Sequence, residues 1–307
     1  MSNLAPALYF LQVHLLYATL VCLGAWALTS TRAAGATAKY WIWLAASLNF
    51  AIPLGGFIDR FGAVDIDGAS QLGPLAALDL SLARSPQVVA ALSALWFAGC
   101  AAMLLRLAMR IRDERRAHHA IARARVPDFQ VEGVPVHYTA SPIGPSVDGM
   151  VRSYIHLPRG IEQLLSENEL AAVLLHEVTH AKRRDNLLRL THEIVLCILW
   201  FHPLLWLSRQ RLALYGELSC DESVQRRRCG HFLVSALAKL ASPESELVLR
   251  SAATSLVGQR LDCLLAGKPP RPHRLANTLT IAAFGAALLT GIFFTVAHTA
   301  CCLVPRG

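Results

Sequence analysis

The sequence predicts a mainly α-helical polytopic membrane protein, with about four transmembrane helices and one cytosolic α+β domain. Three observations predict this class: an apolar composition, four long runs without a charged residue, and a polar segment between the third and fourth runs. Of the 307 residues, 54% are hydrophobic and 16% are charged, whereas a soluble domain has about 25% charged residues. This balance argues against a disordered chain and against an ordinary soluble enzyme.

Each uncharged run approaches or exceeds the length of a membrane-spanning helix. The runs are residues 1–31, 40–58, 85–105 and 275–305. About 20 apolar residues cross a hydrocarbon layer of roughly 30 Å. A fifth apolar stretch, 194–208, is shorter and contains Pro203, so we expect a buried or re-entrant helix there. No basic region precedes the first run, which we interpret as a retained span and not as a cleaved signal.

The charges between these runs indicate the orientation of the chain, because lysine and arginine accumulate on the cytoplasmic side. Segment 106–125 carries seven arginines against two acids, and loop 59–84 carries four acids against two bases. We therefore expect residues 106–274 inside the cell and the 59–84 loop outside. The net charge of +8 then reflects topology, with attraction to anionic lipids of the bilayer. No aromatic or groove-reading pattern accompanies the basic runs, so nucleic-acid binding is not expected.

The expected domain organisation follows from these runs and charges. Its units are three transmembrane helices (1–110), a basic helical extension (111–127), a cytosolic domain (128–240), a basic Pro-rich linker (241–274) and a fourth transmembrane helix (275–300).

Within the cytosolic domain, the residue pattern changes from strand-like to helix-like. Apolar residues alternate in 129–139 and 151–157, which predicts a hairpin or a sheet of two to three strands. Ser166 and Glu169 form a capping-box pattern before an apolar run, which indicates the start of a helix. Two further helices are predicted at about 187–202 and 207–228.

The helix predicted after Ser166 contains the motif His-Glu-Val-Thr-His, from His176 to His180. Two histidines four residues apart lie on one helix face, so both imidazoles can reach the same metal ion. Glu177 lies beside them, where it can take a proton from a metal-bound water. Such a water ionises near neutral pH and can attack a carbonyl carbon. The motif also occurs by chance in long helices, so a third ligand requires a separate argument.

Glu217 is the predicted third ligand. It lies on a later predicted helix, 37 residues after His180, and is followed one turn further by Asp221. Glu217 can supply a carboxylate oxygen, while Asp221 can accept the spare N–H of a ligand histidine. Glu193 and Glu222 are competing carboxylates. Two imidazoles and one carboxylate suit zinc best among the divalent metals.

The motif HEVTHAKRRDNLL, the apolar stretch ILWFHPLLW and the segment ELSCDE together resemble the BlaR/MecR-type membrane metallopeptidases. These are gluzincins related to the HtpX-type and CAAX-processing membrane proteases. The resemblance implies a gluzincin-like zinc metallopeptidase domain with His176, His180 and Glu217 as zinc ligands and Glu177 as the general base. It implies that Arg183 to Asn186, after the motif, position the helix and the substrate.

The resemblance also implies a location and a substrate class. The chain is expected in a bacterial cytoplasmic membrane, with its site on the cytoplasmic side. It would cleave a cytosolic or membrane-near protein, for instance a transcriptional repressor of the BlaI/MecI type, in signal transduction. The beta-lactam sensors of the family carry a penicillin-binding domain after the fourth span. We do not expect that domain from this sequence, and we therefore expect a stimulus to arrive through the 59–84 loop, the spans or another protein.

Two other functions fit parts of the pattern. A site-2-type intramembrane protease uses the same motif with an aspartate ligand, for which Asp262 is a partial match. The charged residues 182–185 directly after the motif favour a water interface instead. A non-catalytic signalling scaffold is the other alternative, and the intact motif with Glu217 and Asp221 counts against it.

Two features of substrate handling are also predicted from the sequence. The strand at 151–157 is expected at a sheet edge, where an extended peptide could add as a further strand. Six residues could stabilise an oxyanion, although each is more often structural: Tyr154, His156, His192, His202, Arg209 and Tyr215.

Overall fold

Helices dominate the computed structural model, which describes residues 4–30, 34–51, 85–118, 128–139, 144–241, 253–266 and 285. The first part of the chain forms α1 (Leu4–Ser30), α2 (Ala36–Leu48) with a 3-10 turn (Asn49–Ala51), and α3 (Pro86–His118). Within the described residues, one helical segment, Pro86–Glu114 of α3, is long and apolar enough to cross a membrane. The predicted count of four spans is not confirmed. The loop 59–84 and, apart from Gly285, the fourth run lie outside the described residues.

The sheet has four strands: β1 (Phe129–Val131), β2 (Val134–Thr139), β3 (Ser146–Asp148) and β4 (Tyr154–Pro158). Their spatial order is β1-β2-β4-β3. The prediction of two to three strands is wrong because β3 forms in a stretch without alternation and adds a fourth strand. The first strand-like stretch folds back on itself and supplies both β1 and β2. Glu132 and Gly133 both have positive φ, 47° and 81°, as a tight hairpin turn requires.

The predicted edge position of the strand at 151–157 is also wrong. β4 pairs in parallel with β2 on one side, with Val136 opposite Ile155, and antiparallel with β3 on the other. β3 therefore forms one edge of the sheet, and β1 forms the other. β3 lies in a turn-rich stretch that the alternation pattern did not identify as a strand.

Six helices accompany the sheet: α4 (Ile161–Leu164), α5 (Glu167–Arg183), α6 (Asp185–Ile198), α7 (Pro203–Arg226), α8 (Gly230–Leu240) and α9 (Ala253–Leu265). The apolar stretch 194–208 is not one helix, since α6 ends at Ile198 and α7 begins at Pro203. Proline is favoured at the first position of a helix, where its missing N–H has no helical partner. The segment 241–274 was predicted to be a linker, but the structure contains the helix α9 within it.

The predicted capping box at the start of α5 is confirmed. Ser166 Oγ accepts a hydrogen bond from the Glu169 backbone N–H, and Glu169 accepts one from the Ser166 N–H at 2.8 Å. Glu169 also accepts hydrogen bonds from Lys239 Nζ, at 2.7 Å, and from Ser235 Oγ on α8. These bonds lower the pKa of Glu169 to about 2. The same carboxylate thus caps α5 and fastens α8 to it.

We expect Ser166→Ala to lower the free energy of unfolding by about 1 kcal/mol, because an alanine at this position leaves a backbone N–H of α5 without its cap. Ser166→Thr keeps the hydroxyl, which accepts from the Glu169 N–H and donates to the Glu169 carboxylate, and is the matched control. Thermal unfolding of the detergent-solubilised chain measures the difference. Equal midpoints for the alanine variant and the wild type would contradict the proposed cap contribution.

Two apolar cores support the motif helix α5 and the two helices that follow it, α6 and α7. One lies between the sheet and α5, where Val136, Ile155 and Leu157 pack with Val178. The other joins α1 and α2 to α6 and α7, around residues such as Ile42 and Leu196. α5 thus packs on the first core and α6 on the second, while α7 joins both through Val224 and Leu205.

Candidate metal centre

The three predicted ligands lie together between α5 and α7. His176 Nε2 and His180 Nε2 are 3.1 Å apart on adjacent turns of α5. Glu217 of α7 places one carboxylate oxygen 3.3 Å from His176 Nε2 and the other 3.5 Å from His180 Nε2. A tetrahedral zinc ion with ligand bonds of about 2.0–2.1 Å separates its donor atoms by about 3.4 Å. The donor set and its spacing therefore fit zinc.

A carboxylate lies behind each ligand imidazole. Asp221 Oδ1 is 2.9 Å from His176 Nδ1, and Asp185 Oδ2 is 2.5 Å from His180 Nδ1. Each carboxylate fixes the tautomer of its ring, so that Nε2 is the atom available to a metal. The sequence predicted this contact for Asp221. The contact between Asp185 and His180 was not predicted.

Asp185 reaches His180 because the chain reverses directly after α5. Arg184 has φ of 57°, which ends α5 and allows α6 to begin at the next residue. Arg183 binds the Asp185 carboxylate through Nε and Nη2, and Tyr40 of α2 donates its hydroxyl to it at 3.3 Å. Burial alone would raise the pKa of Asp185, but Arg183 and His180 lower it below its usual value. An aspartate five residues after the second histidine was the signal that sequence reasoning could have used.

Removing the Asp185 carboxylate should weaken zinc binding. We expect Asp185→Ala to lower zinc affinity about 10–100-fold, since the His180 ring loses the acceptor that orients it. Competition with a chromophoric chelator measures the affinity. Asp262→Ala, a change at an exposed position of α9, is the matched control. An unchanged affinity in Asp185→Ala would remove this role.

Glu177 and Glu217 have opposite electrostatic environments. Burial raises the pKa of Glu177 above its usual value, against the opposing effect of the two imidazoles. Burial would also raise the pKa of Glu217, but His180, His176 and Arg260 together lower it below its usual range. Two carboxylates whose pKa values are driven apart are suited to different roles. Glu217 is suited to remain ionised, and Glu177 is suited to accept a proton.

Arg260 of α9 contacts two carboxylates of the site, those of Asp221 and Glu217, and was not predicted from the sequence. Its Nε and Nη2 donate to the two oxygens of Asp221 at 2.9 and 2.8 Å. Its Nη1 is 3.0 Å from a Glu217 oxygen. Nothing in the local sequence distinguishes this arginine, because its contacts are to residues about 40 positions away.

Cys220 is a second candidate for the third ligand. One potential ligand atom each from His176, His180 and Cys220 lie within 4.8 Å of one another. Cys220 Sγ also accepts a hydrogen bond from Arg183 Nη2 at 3.4 Å, on the side of His180 that Asp185 occupies. Since Glu217 approaches both Nε2 atoms, we take Glu217 as the ligand.

The competing carboxylates make other contacts. Glu193 accepts a hydrogen bond from Arg209 at 2.7 Å and lies 3.6 Å from Arg110 of α3. Glu222 accepts hydrogen bonds from the backbone N–H groups of Ala36, at 2.6 Å, and Thr37. Glu222 thus caps the first turn of α2, and Glu193 joins α6 to α7 and α3.

The six residues that were considered for oxyanion stabilisation contact other protein groups in the structure. His192 bonds Ser208 at 2.7 Å, and His202 bonds Thr19 at 3.0 Å. The remaining four lie in other surroundings: Tyr215 in the apolar cluster with Trp43, Arg209 on Glu193, and Tyr154 against His156 with ring centroids 4.9 Å apart.

Comparison with known proteins identifies similar chains. Residues 7–264 match the family model described as BlaR1 peptidase M56. The regulatory protein BlaR1 of Bacillus licheniformis is 31% identical over 121 residues, which cover 39% of this chain and 18% of that protein. The methicillin resistance mecR1 protein of Staphylococcus aureus is 28% identical over 96 residues, which cover 31% and 16%. The match thus spans less than a fifth of either relative.

Proposed function

Because this chain belongs to the BlaR1 peptidase M56 family, we propose that it is a membrane-bound zinc endopeptidase with ligands His176, His180 and Glu217. The observation that carries this proposal is the triangle of three donor groups, 3.1 to 3.5 Å apart, with a carboxylate behind each imidazole. Glu177 lies on the same helix as both histidines and is the proposed general base. Among the residues that the structure describes, no equivalent set of donors accompanies Glu193 or Glu222.

The proposed mechanism assigns a separate task to each side chain. A zinc ion in this site would polarise the scissile carbonyl and acidify the attacking water. Glu177 accepts the proton of that water on its carboxylate and returns it to the amine leaving group. Burial raises the pKa of Glu177 above its usual value, which makes its carboxylate a better proton acceptor. Asp221 and Asp185 hold the two imidazoles in the required tautomer.

We further propose that the site faces the cytosol and acts in signalling. The motif follows α3, whose apolar segment continues into an arginine-rich end before residue 118, which supports a cytosolic orientation. The names of the relatives, a regulatory protein and a methicillin resistance protein, support a signalling role. The substrate would be a cytosolic or membrane-near protein, such as a repressor of the BlaI/MecI type.

An extended substrate peptide could lie along β3, the edge strand next to α5. Asn186 of α6 donates to the backbone carbonyl groups of Val147 and Gly149 at 3.0 and 3.3 Å. This bond orients the edge strand against the helix that follows the motif. Main-chain binding of this kind predicts weak dependence on substrate side chains.

The proposal is tested with purified chain in lipid nanodiscs, loaded with zinc and incubated with a bacterial cytosolic extract. Mass spectrometry should detect new protein N-termini that disappear after chelation with 1,10-phenanthroline and return with added zinc. Absence of any chelator-sensitive terminus would contradict the proposal and favour the scaffold alternative. Cleavage confined to added membrane-spanning peptides would favour the site-2-type alternative.

A further inference from the structure

The helix α9 brings one buried guanidinium, that of Arg260, to the metal centre. We propose that Arg260 is a positioning residue, which clamps Asp221 onto His176 and holds Glu217 in its ligand conformation. This inference rests on the proposed zinc site and adds a residue to it. It also extends the metallopeptidase domain beyond residue 240, to include α9.

The geometry of Arg260 is that of a clamp. Two of its nitrogens bind the two oxygens of Asp221, and the third binds Glu217 at 3.0 Å. Such a fork fixes the plane of a carboxylate as well as its distance. With that plane fixed, Asp221 Oδ1 lies 2.9 Å from His176 Nδ1. Arg260 therefore contacts Asp221 and the third ligand directly, and its Nη2 also lies 3.4 Å from Nδ1 and 3.5 Å from Nε2 of His176.

The charge balance of the site supports the same role. Asp221 and Glu217 lie one turn apart on α7, and Glu177 lies beside the two histidines. Arg260 is only 8% exposed and Asp221 only 2% exposed, so solvent screens neither charge effectively. Without the guanidinium, the buried Asp221 carboxylate would lose its cationic partner and would repel the Glu217 carboxylate one helical turn away. Arg260 offsets their negative charge and holds both carboxylates close to the imidazoles.

A purely structural role would make a different prediction. In that case Arg260 would only fasten α9 to α7, and its loss would lower stability without changing the ligand geometry. The distinguishing readouts are therefore metal affinity and the absorption spectrum of the cobalt-substituted chain. The visible bands of Co²⁺ respond to the number and arrangement of its ligands.

The test uses the full chain in detergent, with Arg260→Met and Arg260→Lys, and Arg226→Met as the matched control. Arg226 lies at the exposed end of α7 and pairs only with Glu222 at 3.4 Å in the ion pairs described for it. We expect Arg260→Met to lower zinc affinity about 10–100-fold and to change the Co²⁺ spectrum. Arg260→Lys should recover part of the affinity, since it keeps the charge and loses the fork. Arg226→Met should resemble the wild type.

Each outcome decides the proposal. Wild-type affinity and an unchanged Co²⁺ spectrum in both Arg260 variants would overturn it, whatever their stability. If Arg260→Met does not fold, Arg260→Lys decides alone: a changed spectrum supports the clamp and an unchanged one overturns it. If the wild type itself binds neither metal, the proposed function fails together with this inference. If the wild type binds zinc and cleaves protein, only the role of Arg260 is in question.

Discussion

Glu177→Gln should retain one zinc ion per chain, while its rate of peptide-bond cleavage should fall about 10²–10⁴-fold. This is the range typical of general acid–base catalysis. The amide has the shape of the carboxylate but cannot accept the proton of the attacking water. Glu177 is not one of the three donor groups that surround the metal position, so zinc binding should survive the change. Elemental analysis measures the zinc content, and the rate of appearance of a new N-terminus measures cleavage.

Glu167→Gln is the matched control for this variant, because it makes the same substitution at an exposed position in the first turn of α5. It should cleave at the wild-type rate. A Glu177→Gln variant with wild-type activity would refute the assigned base. A variant without zinc would mean that Glu177 is needed to form the metal centre.

Glu217→Ala is expected to have the largest effect on metal content. Removing the carboxylate leaves two imidazoles as donors and leaves Arg260 Nη1 without its contact at 3.0 Å. We expect zinc affinity to fall by more than the roughly 10–100-fold typical of residues behind a ligand. Purified Glu217→Ala should therefore contain far less than one zinc ion per chain after dialysis.

Three further variants distinguish Glu217 from its competitors. Glu193→Ala, Glu222→Ala and Cys220→Ser should each retain the metal, because none of these groups approaches both Nε2 atoms in the way that Glu217 does. Loss of zinc in Cys220→Ser with retention in Glu217→Ala would reverse the assignment. The ligand set would then be two histidines and a thiolate, a combination that zinc also accepts.

The parts predicted well from the sequence are those that local pattern determines. The capping box at Ser166 and the spacing of His176 and His180 are properties of one helix, and the structure contains that helix. The order of the strands is different, because it depends on pairing between segments separated along the chain. Alternation in 151–157 indicates a strand but contains no information about its neighbours, so β4 was assigned to an edge although the edge strands are β1 and β3.

The residues that contact the predicted ligands also show that a local sequence pattern does not reveal tertiary contacts. Asp221 was predicted because it lies one helical turn from Glu217. Arg260 was not, because it lies 84 residues after His176 in the sequence and contacts it only through tertiary packing. A charged residue that is buried by distant elements leaves no periodic pattern in its own segment.

A run without charged residues can be a helix in contact with lipid or a helix buried in protein, and the sequence does not distinguish the two. In α3, most of the apolar surface is exposed in the isolated chain, as expected for a helix in contact with lipid. In α2, which begins the second predicted span, Trp43 is fully buried and donates its indole N–H to Thr29 of α1 at 2.9 Å. An uncharged run predicts burial, but the burying medium can be lipid or protein.

Glu222 of α7 caps the first turn of α2, and these hydrogen bonds connect the two helices directly. The same helix α7 carries Glu217 and Asp221, and the Tyr40 hydroxyl of α2 touches the carboxylate that orients His180. A piston-like displacement of α2 must either break these bonds or carry the metal-facing side chains with it. The spacing between the two imidazoles and the carboxylate is therefore coupled to the axial position of a helix near the N-terminus.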